Sequence, residues 1–138
     1  MISFIIYLEK YDNGRWTGIE LCDLNEEIED NFIGCNSIYP FFGYNKYRSS
    51  FKYLEFKVDP LPFIQLIPQD ISPEFDEYYF AGCEQSPGMF LISDALAFDY
   101  DQIAYDDITY RDALHDNYFA LLELAKSNNM SRILFYFS

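Results

Sequence analysis

Asp99, Asp101, Asp106 and Asp107 are the side chains with the plainest capacity for chemistry. Clustered carboxylates can hold a divalent cation, and a pair of such ions can drive hydrolysis of a phosphoryl group. The spacing does not match a calcium-binding EF-hand loop. Counting from Asp99, the sixth position is Ala104 where glycine is required, and the twelfth is Tyr110 where glutamate is required. No histidine stands nearby as a further ligand, so a solvated acidic face is the simpler expectation. His115 is the only histidine and falls on a helical pattern, which makes it a surface histidine rather than a general base. No nucleophile elbow joins the serines to it, and no glycine-rich phosphate loop is present. Cys22, Cys35 and Cys83 have no flanking bases to lower a thiol pKa and read as small apolar side chains. No catalytic residue, metal ligand or cofactor is therefore assigned, and the chain is expected not to be an enzyme.

A second constellation is basic and aromatic. Tyr44, Lys46, Tyr47, Arg48 and Lys52 alternate in type, and Phe51, Tyr53, Phe56 and Lys57 extend the pattern. Rings can stack on a base while cations hold a phosphate, so these residues form a candidate nucleotide site. The competing expectation is that the rings are core and the cations balance the acidic half of the molecule.

The third feature is the largest. Between Asp70 and Asp116 stand twelve acidic side chains and a single arginine, Arg111. The net charge of −14 repels nucleic acid and anionic membranes and attracts basic partners. General nucleic-acid binding needs a basic footprint, and the chain has only nine lysines and arginines. Asp94, Asp99, Asp101, Asp106 and Asp107 are the expected partner-binding face.

These groups need a scaffold. Of 138 residues, 50% are hydrophobic and 20% aromatic, enough to build the core of one globular domain spanning 1–138. Three cysteines at wide spacing indicate neither a disulfide framework nor a zinc site, and reduced thiols in a cytoplasm are expected. The segment Met1-Ile2-Ser3-Phe4 lacks the marks of a signal peptide, and no 18-residue apolar window spans a membrane.

Asn13-Gly14 between two β-rich runs predicts a hairpin with strands 2–10 and 15–23. The acid-rich stretch 23–31 reads as a solvated loop. A short helix is expected over 38–46, an irregular connection through Pro60, Pro62 and Pro68, and a helix over 73–80 opened by Ser72-Pro73. Ser86-Pro87-Gly88 reads as a turn, 89–92 as a strand and 93–98 as a short helix. Leu114, Tyr118, Leu121, Leu122 and Ala125 recur at helical spacing and predict an amphipathic helix over 110–126, ended by Asn128-Asn129. Arg132 to Phe137 is apolar on both faces, which predicts a central strand. The expected fold class is α+β: an antiparallel sheet containing the N-terminal hairpin and the C-terminal strand, with helix 110–126 packed on it. Ile6, Trp16, Ile19, Leu21, Leu114, Leu121, Leu122, Ile133 and Phe135 are the expected core.

The order of landmarks is similar to that in a family of small phage and prophage proteins with no assigned activity. The resemblance rests on Tyr39-Pro40-Phe41-Phe42, on Pro68-Gln69-Asp70-Ile71-Ser72-Pro73-Glu74, on the segment Leu91 to Asp99 and on the terminal Arg132-Ile133-Leu134-Phe135-Tyr136-Phe137. It covers most of the chain. The chain departs from the family where members carry a His-Ser element, here Cys83-Glu84-Gln85-Ser86, and where members end in Phe-Asp-Asn, here Phe137-Ser138. The resemblance implies a phage or prophage context, in the cytoplasm of an infected or lysogenic bacterium. Combined with the charge, it leads to the expectation of a small acidic accessory protein that binds and modulates or inhibits a basic host protein, such as a defence factor. The alternatives are a binder that sequesters a nucleotide signal of host defence and a metal-dependent hydrolase.

Overall fold

The computed structural model describes residues 3–44, 58–79 and 85–138. Its centre is a four-stranded sheet, built from β1 (Phe4–Asp12), β2 (Arg15–Glu20), β3 (Gln85–Leu91) and the C-terminal strand Arg132–Phe137. The C-terminal strand, β6, lies between β1 and β3, giving the order β2-β1-β6-β3 with every neighbouring pair antiparallel. A two-stranded ribbon, β4 (Ile103–Tyr105) with β5 (Ile108–Thr109), stands apart from it. The fold class is α+β, as the patterning predicts.

The hairpin turn is Asn13-Gly14, with both residues at positive φ (53° and 79°), the conformation that Asn-Gly favours. Every residue of β6 is buried, as expected of a central strand covered on both faces. Paired residues share a face, so the registers sort the side chains. One face carries Phe4, Ile6, Leu8, Phe90, Ile133, Phe135 and Phe137 into the main core. The other carries Tyr7, Met89, Leu134 and Tyr136 into a smaller cluster closed by Phe75.

Helix α5 (Tyr110–Ser127) packs against the first face and buries Leu114, Tyr118, Leu121, Leu122 and Ala125. Thr109 caps it by accepting from the Asp112 backbone N–H at 3.2 Å. His115 is exposed but not helical, with φ 62° and ψ 169°. The first turn is tied to the preceding loop by Tyr110 N–H to the Gln102 carbonyl and Arg111 N–H to the Tyr100 carbonyl. The kink at His115 joins that anchored turn to the long segment on the sheet.

Three expectations need correction. The stretch 23–31 is not a loop. It belongs to α1 (Leu21–Leu24) and α2 (Glu26–Ile33). Leu21, Leu24, Ile28 and Phe32 recur every three or four residues, an apolar stripe hidden among the acids. Asn25 caps α2 by accepting from Ile28 N–H at 3.0 Å, and Glu26, Glu27 and Glu29 in the first turn complement the helix dipole. Ser86-Pro87-Gly88 is not a turn but part of β3, where the register shifts between Gln85 and Gly88. Pro87 is tolerated because β3 is an edge strand. Gly88 lies against the Phe135 ring, where a Cβ would come within 2.6 Å. The described part of the expected helix 38–46 is a 3-10 helix, Asn36–Phe42, that turns Ile38, Tyr39, Phe41 and Phe42 into the core; residues 45 and 46 lie outside the described residues.

The smaller elements are shorter or offset. α3 is Pro73–Asp76 rather than 73–80, with Ser72 accepting from Phe75 N–H at 3.2 Å as its cap. α4 is Ile92–Ala97. Among the expected core residues, Trp16 and Ile19 are only partly buried; the rest are buried.

Candidate functional site

Asp94 lies in the first turn of α4, Asp99 and Asp101 in the loop that follows, and Asp106 and Asp107 in the β4–β5 turn. All five are exposed. Tyr100, buried between Asp99 and Asp101, holds this loop to the core: its hydroxyl lies 2.7 Å from that of Tyr118 and donates to the Ala95 carbonyl at 2.5 Å. Asp99 accepts from Asp101 N–H at 3.0 Å. Asp101 forms an exposed ion pair with Arg111 Nε at 2.8 Å. Asp101, then Asp112 and Asp99, stabilise the charged guanidinium, raising the Arg111 pKa. Asp99, Asp101, Asp106 and Asp107 do not converge: among the described residues the one group of three such side chains with ligand atoms mutually within 4.8 Å is Glu20, Cys22 and Asp23. Indeed, all eleven described acids of the 70–116 stretch are exposed.

Tyr44 is half-buried, its ring 4.8 Å from that of Phe137 and 6.0 Å from that of Tyr39. Its hydroxyl is buried with no hydrogen-bond partner among the described residues. It is packed as core rather than presented as a stacking surface. Lys46, Tyr47, Arg48 and Lys52 lie outside the described residues.

A further feature lies on the opposite face of the sheet. Tyr7 of β1, Glu20 of β2, Tyr136 of β6, Asp23 of α1, and Glu74, Glu77 and Tyr78 on and just after α3 line an open cleft of about 450 Å³. A buried ion pair positions α3 beside it. Glu9 is 0% exposed, Arg132 is 4% exposed, and Arg132 Nε donates to Glu9 Oε1 at 2.6 Å. The other Glu9 oxygen accepts from Ser72 N–H at 2.7 Å, and Arg132 also donates to the Asp70 carbonyl at 2.5 Å. Trp16 completes the clamp: the guanidinium carbon lies 3.5 Å from its ring centre, and its Nε1–H donates to Asp70 at 3.0 Å. Glu74 then accepts from Gly18 N–H at 3.0 Å, which fixes its carboxylate at the cleft.

No family model, no curated protein and no solved structure matches the chain.

The cleft residues escape a reading by local motif because they come from five separate elements. Two signals were present. Glu74 and Glu77 share one side of a helical turn at i, i+3, and Tyr7 and Tyr136 occupy the alternate positions of β strands that face away from the phenylalanines. The thiol beside the cleft is inert. Burial, then Glu20 and Glu29, push Cys22 up to about 12, so it stays protonated near neutrality. Burial likewise raises the Glu29 carboxyl. Cys35 is partly buried, and Cys83 lies outside the described residues. No described helix is long and apolar enough to cross a membrane.

Proposed function

We propose that the protein is a non-catalytic binding protein that docks on a basic host protein through its negative surface and modulates or inhibits it. The observation that carries this reading is the exposure of Asp94, Asp99, Asp101, Asp106 and Asp107 in a stretch whose one arginine, Arg111, is already engaged by Asp101. Such a face sums to a potential that reaches about 8 Å into physiological salt and speeds the encounter with a positive partner. The motif resemblance supplies the setting: a phage or prophage accessory protein in the cytoplasm of an infected or lysogenic bacterium, acting on a host factor such as a defence protein.

Co-purification from host lysate tests this, with the parent protein and a variant carrying Asp99→Lys, Asp101→Lys, Asp106→Lys and Asp107→Lys. The expected result is capture of a basic protein at low salt by the parent, lost at high salt and lost in the variant. Tight binding of a purified nucleotide that depends on Arg48 and Lys52 and ignores the four reversals would replace this reading with nucleotide sequestration.

A further inference from the structure

The cleft between the sheet and α3 has a composition that the acidic outer face lacks. Among the described residues its polar side chains are four carboxylates, Glu20, Asp23, Glu74 and Glu77, and three phenols, Tyr7, Tyr78 and Tyr136, with no lysine or arginine. Tyr7 opens onto the same cleft. Its residue is 4% exposed, its ring packs edge-on against Phe75 at 5.4 Å, and its hydroxyl has no hydrogen-bond partner among the described residues. Glu20, Tyr136, Tyr78 and Asp23 are the groups that act on it electrostatically, and all four line the cleft. The oxygen is not sealed off, since the one buried side-chain oxygen without a partner among the described residues is that of Tyr44. Here the vacant direction is the cleft itself.

We propose that this cleft is a binding site for a linear aliphatic polyamine. Ammonium groups answer the carboxylates, the exposed Tyr78 ring attracts them through a cation–π contact, and the methylene chain covers Ile5. The Tyr7 hydroxyl accepts from an ammonium. The carboxylates are spaced for more than one charge. Glu74 is pinned to Gly18, and Glu20 lies two residues further along the same strand, about 7 Å away in an extended chain. Positions so spaced along one strand edge can present two carboxylates to two ammonium groups of one chain. A volume of about 450 Å³ falls in the ordinary range for small-ligand sites. A bare magnesium or calcium ion fits less well: in the adjoining group Glu20, Cys22 and Asp23 the soft sulfur suits neither hard cation. The site lies on the opposite side of the sheet from Asp94–Asp107 and does not depend on the reading of that face.

Isothermal titration with spermidine at fixed ionic strength tests the proposal. The parent should bind one equivalent and gain thermal stability. Replacing Glu20→Gln and Glu77→Gln together should weaken binding by about tenfold or more, since each removes a charged hydrogen-bond acceptor. Tyr7→Phe should weaken it several-fold while leaving the unliganded melting temperature close to that of the parent. Lysine reversal of Asp99, Asp101, Asp106 and Asp107 should change the affinity little. The proposal is overturned by absence of saturable binding, or by binding that responds to the outer-face reversals but not to the cleft variants. It is also overturned if magnesium, or an oligolysine peptide, occupies the cleft more tightly than spermidine in a manner dependent on Glu20 and Glu77.

Discussion

At the scale of single residues, the Glu9–Arg132 pair governs how the α3 side of the molecule is held. Both charges are removed from water, and each is saturated by a backbone group as well as by its partner. Glu9→Ala strands a buried guanidinium and should lower stability by about 3–5 kcal/mol, as measured by chemical denaturation. The joint replacement of both residues by apolar side chains of similar size should cost much less, because no charge is then left unpaired. Part of this assembly is legible in the amino-acid sequence. The Ser72-Pro73 cap and the inward placement of β6 were legible. The pairing of Glu9 with Arg132, 123 positions apart, was not, because nothing local marks one acid among 23 as the buried one. The same non-locality explains why Trp16, read as a core residue, is instead a half-open lid over Arg132.

At the scale of elements, α5 and the loop before it make the sharpest predictions. Leu121 and Leu122 are both buried against the sheet, and Leu121→Ala should cost about 2–5 kcal/mol through lost burial and an unfilled cavity. The core also carries an alkaline liability. Burial raises Tyr100 from 10.0 to about 12 and raises Tyr118 and Tyr7 as well, while Cys22 moves from 9.0 to about 12. In each case the folded state keeps a proton that the unfolded chain releases. The stabilising contribution is intact below about pH 9 and is lost as pH climbs towards about 12. Thermal melts should therefore fall steeply across that window. Tyr100→Phe should flatten part of the fall, because one shifted proton is removed. α5 was legible because its apolar stripe is long and regular. α1 and α2 were not, because their stripe of Leu21, Leu24, Ile28 and Phe32 is diluted by five acids between 23 and 30. Ser86-Pro87-Gly88 misled for the opposite reason. Turn-forming residues were used by an edge strand whose neighbour, Phe135, leaves no room for a Cβ.

At the scale of the whole molecule, charge and fold are complementary. The sheet and helices bury most of the described rings, and the described acids other than the paired Glu9 reach the surface because an unpaired buried carboxylate is expensive. The sign of the surface was thus readable from composition. The division of that surface into an open aspartate face and a tyrosine-lined cleft was not, because it follows from which face of the sheet each strand residue occupies. Once the basic partner is in hand, the association rate measured against ionic strength tests the docking account most directly. The account predicts that the rate falls steeply with added salt while dissociation changes little, and that reversing Asp99, Asp101, Asp106 and Asp107 to lysine slows association at low salt and removes its salt dependence. An association rate indifferent both to salt and to those four reversals would contradict it.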